Sequence, residues 1–382
     1  MEFIATAPLL AEEVVEKELI ELGAKNTFVK RGKVVFESDL NKACEIGFNL
    51  RTGKRILMPL SEIKYFSKES FYEAAREIEW ENYIDVKETF SVRIKGGDSL
   101  FTNSAYVSLL LKDAIVDRIR DKKGERPSVS KEDPQVEILG FIRNNNAEIS
   151  LDLCGALHKR GYRRYVSKGA LNESLAAVIL KISEYCGETP FLDPMAGSGT
   201  IGIEAALIAS KIAPGLLWKR GRGFFSRNLI SEKGKQKIVA RAKEKIVVPK
   251  EKIILSDINP ENIKICIQNA SRAKVTEYVS ILISDFFKLN LNVNNGIIVT
   301  NTPYGDHTEI GEKESLFFKK IGDKLKKDYC NFTAYLLLGN SQAVKSVGLS
   351  ASKNISLYNG KKEVKLCVYE IYGGSMKKVE QE

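Results

Sequence analysis

The chain has 382 residues, 43% of them hydrophobic, which is long enough for two or three domains and too apolar for a disordered chain. Its formal net charge is +10, split unevenly: residues 1–160 hold 25 basic and 27 acidic side chains, the remainder 34 and 22, so a polyanionic partner such as nucleic acid suits the second half. No apolar run approaches the ~20 residues of a membrane span, and "MEFIATAPLLAEEVVEK" at the N-terminus lacks the basic start of a secretory signal, which leads us to expect a cytoplasmic protein with no membrane contact.

In chain order, residues 2–6 read as a strand. Pro8 suits the first turn of a helix that carries Leu9, Leu10, Val14, Leu19 and Leu22 at helical spacing up to Gly23. "NTFVKRGKVVFES" reads as two strands around Arg31-Gly32, "LNKACEIGFNL" as a helix and "RILMPLSEI" as a strand. This strand–helix–strand–strand–helix–strand order is that of a ferredoxin-like unit. A second unit follows, with a helix near 68–79, the strand "TFSVRIK", a long helix over 103–121 and a hairpin turning at Asn144-Asn145-Asn146. The stretch "ALHKRGYRRYVSKGA", 156–170, is dense in Lys and Arg and reads as a connector.

From about 171 the pattern becomes strand alternating with helix. After a helix near 172–185, the strands are "PFLDP", "KIILSDI", "SILISDF", "GIIVTN" and "FTAYLLLG", with helices such as 199–210 and 260–273 between them. Continuous apolar strands separated by helices predict a parallel, doubly wound sheet. "NISLYNGKKEVKLCVYEIYGG" reads as an antiparallel hairpin around Asn359-Gly360 at or near the sheet edge. The six cysteines form no CxxC pair and there are only two histidines, so no metal site is expected and the thiols read as reduced and mostly buried.

The first strand of the second half delivers "FLDPMAGSGTIGIEAA", in which Gly197, Gly199 and Gly202 spell G-x-G-x-x-G. A dinucleotide fingerprint wants an acid ~20 residues on. Here the second strand ends much later, at Asp257, after the insertion "APGLLWKRGRGFFSRNLISEKGKQK". Asp193 also opens the loop, where it would repel a pyrophosphate, and no Lys follows Gly199 as a P-loop requires. An acid beside a tight glycine turn suits a cationic ligand, and S-adenosylmethionine carries an ammonium and a sulfonium. Asp257 can accept from its ribose hydroxyls and Asp285, with Phe286 beside it, from its adenine amine; three acids at successive strand ends lie along one crevice.

"DPMAGSGTIGIEAA", "SDINPENI", "SDFF" and "TNTPYG" together resemble the class I methyltransferases that act on exocyclic amines of nucleobases. With "ALHKRGYR" and "LNESLAAVIL" upstream, the chain more closely resembles the bacterial 23S rRNA guanine-N2 methyltransferases of the RlmL type, a group also labelled N6-adenine-specific DNA methylases. The resemblance implies an N-terminal ferredoxin-like subdomain (1–65), a THUMP RNA-binding domain (66–155), a basic linker (156–170) and a Rossmann-like class I methyltransferase domain (171–382). It implies S-adenosylmethionine as cofactor, structured RNA (23S rRNA or its precursor) as partner, and a monomer without an obligate protein partner. Cofactor contacts fall on Asp193, Gly197, Ser198, Gly199, Thr200, Glu204, Asp257, Ile258, Asp285, Phe286 and Asn301. Asn301, Pro303 and Tyr304 are the expected catalytic set: the Asn301 amide and a backbone carbonyl can accept the two amine hydrogens, Tyr304 can stack on the base, and Pro303 would fix the loop. The family's Asn-Pro-Pro-Tyr stands here as Asn301-Thr302-Pro303-Tyr304. Phosphate contacts are expected from Lys159, Arg160, Arg163, Arg164, Lys168, Lys219, Arg220 and Arg222. Guanine N2 in rRNA, guanine N2 in tRNA and adenine N6 in DNA or RNA stay open as targets, as does an RNA-binding protein that retains a dead methyltransferase fold.

Overall fold

The computed structural model describes residues 1–165, 169–218, 223–227, 229–291, 293–303 and 311–373. In β1 (Glu2–Thr6), Phe3 and Ala5 are fully buried and set the inner face of the first sheet. Pro8 does not open a helix: Leu10 takes a positive φ of 66°, and α1 (Glu12–Glu21) begins beyond it. β2 (Lys25–Lys30), β3 (Lys33–Glu37), α2 (Leu40–Asn49) and β4 (Arg55–Lys64) complete the ferredoxin-like order. α3 (Lys68–Glu77), β5 (Thr89–Gly96), α4 (Ser104–Lys123), β6 (Ser128–Val129), β7 (Val136–Arg143) and β8 (Asn146–Asp152) follow. Local chemistry fixes several boundaries. Asp39, Ser67 and Asn103 cap α2, α3 and α4, and Asn144 and Asn145, both at positive φ, turn β7 into β8.

The two N-terminal units share one eight-stranded sheet, ordered β2-β3-β1-β4-β8-β7-β5-β6. The ten-residue β4 joins them. Its first residues pair with β1, and Leu57 to Lys64 pair with β8 across an irregularity between Pro59 and Ser61. One apolar core lies against this sheet, and it takes in Phe224, Ile230, Ile238 and Ala242 from the segment between α6 (Thr200–Ala209) and β10 (Ile253–Asp257). What the sequence presents as an insertion in the second half is therefore part of the first half's core. Its helix, α7 (Glu232–Glu244), adds Ile238 and Ala242 to that core and reaches Glu45 of α2 through Arg241.

The second sheet is built from β9 (Phe191–Asp193), β10 (Ile253–Asp257), β11 (Val279–Ile283), β12 (Gly296–Asn301), β13 (Phe332–Leu338), β14 (Lys353–Asn359) and β15 (Lys362–Glu370). Its order is β11-β10-β9-β12-β13-β15-β14, with the first five strands parallel and the terminal hairpin antiparallel. Asn359 pairs with Lys362, so the hairpin turns at Gly360-Lys361, one residue beyond the expected Asn-Gly. The helices are α5 (Glu173–Ile182), α6 (Thr200–Ala209), α8 (Pro260–Arg272), α9 (Gly311–Asp328) and α10 (Ser341–Ser346). This is the expected doubly wound α/β sheet. The order reverses beside β9, which opens a crevice at the carboxyl ends of the strands.

The connector between the sheets is not a solvated linker. Arg160 is fully buried; it donates to the Arg51 and Leu157 carbonyls and pairs with Glu204 of α6 at 3.4 Å. The Tyr162 hydroxyl donates to the same carboxylate at 3.1 Å. From the other side, Arg51 donates to the carbonyls of Leu207 and Ile212. Buried charges need partners, and these partners lie on both halves. Among the described residues no helix is long and apolar enough to cross a membrane.

Candidate active site

The crevice encloses about 510 Å³ and is lined by the ends of β9, β10 and β12, the turn after β11, and residues 169–171 of the connector. Its floor is the glycine loop. Gly199 has φ +82°, and a Cβ there would lie 2.4 Å from the Cys266 sulfur; at Gly202 one would lie 1.8 Å from the Leu255 side chain. Only glycine lets α6 begin at this angle and sit against β10. Asn269 of α8 supports the loop from below, its Nδ2 donating to the Ser198 carbonyl at 3.0 Å. Ser198 and Thr200 line the crevice, and their hydroxyls are buried with no partner among the described residues.

Asp193, Asp257 and Asp285, at or just beyond the ends of three strands, all line the crevice. Asp257 Oδ2 accepts from Gly197 N at 2.8 Å; Oδ1 accepts from Asn259 N and Asn262 Nδ2 at 2.9 and 3.1 Å. A carboxylate offers about four acceptor positions, which leaves roughly one open on Oδ2. Asp285 Oδ1 accepts from Phe287 N at 3.0 Å. Asp193 is 1% exposed and accepts from the Thr300 hydroxyl at 2.9 Å and from Met195 N at 3.3 Å. Burial lifts its carboxyl to about 7 against those two hydrogen bonds, and the nearby Asp257 adds to the rise. Burial also raises the Cys266 thiol to about 12, helped by Asp193 and Asp257. The floor is thus a site of negative potential with one carboxyl poised near neutrality.

The roof holds Asn301, the last residue of β12. Its Nδ2 donates to the Gly169 carbonyl at 3.2 Å. A carbonyl can only accept, so this contact fixes the orientation of the amide. Asn301 Oδ1 is buried and has no partner among the described residues. Pro303 lines the crevice beside it. Tyr304 lies outside the described residues.

Several expectations are corrected. Glu204 does not line the crevice; it is fully buried on α6, engaged with Arg160 and Tyr162. Gly199 shapes the loop without lining it. Phe286, by contrast, does line the crevice; it is 5% exposed and stacks on Tyr329, 5.8 Å between centroids. Arg160 is unavailable to phosphate because burial commits it to Glu204. Arg163, with a 10% exposed side chain, donates to the Leu171 carbonyl and to Glu173 at 2.7 and 3.0 Å, bracing the crevice wall. Lys159 and Arg164 are exposed, and Arg164 lies over the Tyr165 ring. Lys168, Lys219, Arg220 and Arg222 lie outside the described residues. Sequence reasoning missed Gly169 to Leu171, Asn259, Asn262, Phe287 and Phe317 as lining residues. Asn259 and Asn262 stand inside the quoted "SDINPENI"; Phe317, on α9, carries no local signal.

A doubly wound sheet with a terminal antiparallel hairpin, a glycine loop after its first strand and acids gathered at its strand ends defines a class I methyltransferase domain. The sequence pattern of the "RMKL-like, methyltransferase domain" family matches residues 160–367, that of the THUMP domain residues 65–152, and that of the RlmL ferredoxin-like domain residues 2–57. The chain belongs to the RMKL-like methyltransferase family. It is 33% identical, over an alignment 384 positions long, to the ribosomal RNA large subunit methyltransferase K/L of Shewanella frigidimarina, covering 98% of this chain and 54% of that protein. The chain thus spans about half the length of that curated relative. Among solved structures, SMU.472, described as a methyltransferase and complexed with SAH, superposes with a TM-score of 0.87 at 25% identity, covering 98% of this chain and 99% of that one. A Listeria monocytogenes protein named as an N6-adenine-specific DNA methylase gives 0.84 at 25% identity, covering 97% and 96%.

Proposed function

We propose that this protein transfers a methyl group from S-adenosylmethionine to an exocyclic amine of a base in structured RNA, with guanine N2 of 23S rRNA as the first candidate. The observation that carries this reading is the Asn301 amide, whose nitrogen is fixed on Gly169 while its buried Oδ1 is left to accept. A base amine is a weak nucleophile because its lone pair delocalises into the ring. Accepting one of its hydrogens at Oδ1 favours a more tetrahedral nitrogen and holds the lone pair in one direction, so positioning supplies much of the rate. Pro303 keeps the backbone beyond Asn301 from straying.

The residues present fit the cofactor. Ser198 Oγ and Thr200 Oγ1, orphaned and buried at the start of α6, would take its carboxylate; Asp193 would hold the ammonium. The open position on Asp257 Oδ2 would take a ribose hydroxyl, and Asp285 the adenine amine between Ile258 and Phe286. When bound, the sulfonium supplies an activated methyl group. The front sheet, with its THUMP match, would hold the RNA. The domain division would follow 1–65, 66–155, 156–170 and 171–382, with Arg160 and Tyr162 packed at the joint and Phe224, Ile230, Ile238 and Ala242 returning to the front sheet's core. The name of the Shewanella relative supports rRNA as substrate.

The test is nucleoside mass spectrometry of total RNA from a deletion strain after incubation with the purified protein and S-adenosylmethionine. N2-methylguanosine, found with wild type and lost with Asn301→Ala, is the expected result. N6-methyladenosine instead would move the target to adenine, and no methylated nucleoside would end the reading.

A further inference from the structure

We infer that Thr302 positions the Asn301 amide for methyl transfer, through a hydrogen bond from its side chain to the neighbouring strand; this rests on the reading of Asn301 as the group that orients the amine. Thr302 is 1% exposed. Its hydroxyl donates to the Leu337 carbonyl at 2.7 Å, and its backbone N–H donates to the same oxygen at 3.3 Å. Leu337 of β13 is also the residue that faces Asn301 in the β12–β13 register. The chain therefore leaves the sheet at Thr302 with two donors converging on one acceptor, directly beside the last paired residue.

The resulting clamp has two sides. Across the crevice, Gly169 holds the Asn301 side-chain nitrogen. Beneath, Leu337 holds the backbone that follows Asn301. Asn301 is the last paired residue of β12, and without the Thr302 anchor that terminal pair would fray, moving the Asn301 Cα and with it Oδ1. The backbone donor alone is a long contact; the hydroxyl makes the short one and is the stronger anchor. A proline at 302, which the resemblance leads one to expect, would lack the amide proton and stiffen the loop through its ring. In this chain the stiffness comes from hydrogen bonds to β13. Thr302 is a positioning residue: it lies in the crevice wall and acts through its neighbour.

The experiment measures single-turnover methyl transfer to total RNA from a deletion strain, with S-adenosylmethionine affinity and the urea midpoint measured on the same proteins. Thr302→Val keeps the shape and the N–H and removes the hydroxyl donor. It should slow transfer by about tenfold or more, a misplacement effect, and leave cofactor affinity and RNA KM within about twofold. Thr302→Ser, which keeps the donor, should stay within about twofold of wild type throughout. In an Asn301→Ala background, Thr302→Val should add no further loss, because the amide it positions is gone. If Thr302→Val misfolds, Thr302→Ala reads the same contrast without the added methyl. Transfer at the wild-type rate in Thr302→Val, with Asn301→Ala impaired, overturns the proposal and leaves the function standing. An equal further loss in the Asn301→Ala background also overturns it, because it makes Thr302 a generic stabiliser. Normal transfer by Asn301→Ala would instead refute the functional reading itself.

Discussion

Asp193 couples stability to cofactor binding, and Asp193→Asn separates the two. The carboxyl is 1% exposed and sits at about 7 against an ordinary 3.8, chiefly because burial penalises its charge. Below about pH 4 it is protonated in both the folded and unfolded chain. As pH rises from about 4 to 7 the unfolded chain releases this proton while the folded chain keeps it, so stability falls through that window. Above about 7 the folded state carries the whole cost, about three pKa units or at most ~4 kcal/mol. Asparagine keeps an acceptor for the Thr300 hydroxyl and Met195 N and has nothing to titrate. The ligand-free variant should match wild type near pH 4 and exceed it by about 2–4 kcal/mol at pH 8. Urea unfolding of both proteins across this range reads the difference, in which the contributions of groups remote from Asp193 cancel. The same variant should bind S-adenosylmethionine about 10- to 100-fold more weakly at pH 8, having lost a charged partner for the ammonium. Wild-type affinity should itself decline below about pH 7 as Asp193 takes up its proton. A stability gap that does not change with pH would refute the argument.

Asp257→Ala should weaken cofactor binding by about 10- to 100-fold in calorimetry, and also loosen the glycine loop, because Gly197 N, Asn259 N and Asn262 lose their acceptor. Arg160→Ala should destabilise the fold by about 3–5 kcal/mol in denaturant titration by leaving Glu204 buried and unpaired; a salt slope of RNA binding that falls while stability holds would return Arg160 to the RNA surface. Arg164→Ala should flatten the dependence of log K for RNA on log salt by about one unit with cofactor affinity unchanged, and an unmoved slope would place the RNA path elsewhere. Gly202→Ala should cost about 1–3 kcal/mol in thermal or urea unfolding, since its Cβ would fall within the Leu255 side chain; a neutral result would show that α6 can withdraw from β10.

The order of elements was legible because each carries its own local signal: apolar runs for parallel strands, Asn and Ser caps, and glycine or asparagine at turns of positive φ. Asp193, Asp257 and Asp285 were legible for a related reason, since β9, β10 and β11 follow one another in the chain and lie side by side in the sheet, so their carboxyl ends open onto one crevice. The sequence alone could not divide the cations of 156–170 into buried and exposed. Arg160 and Arg164 stand four residues apart in one basic run, and only the packing of Glu204 against the connector commits the first to the interior. Nor could it show that the segment before β10 completes the core of the other sheet, or that Gly169 and Leu337, far apart in the chain, hold Asn301 and its neighbour. Local pattern specifies what a residue can do within a turn or two of itself. Which charge is neutralised, and which amide is left with an open acceptor, is decided by partners more than thirty residues away, and only the folded chain brings those within hydrogen-bond reach.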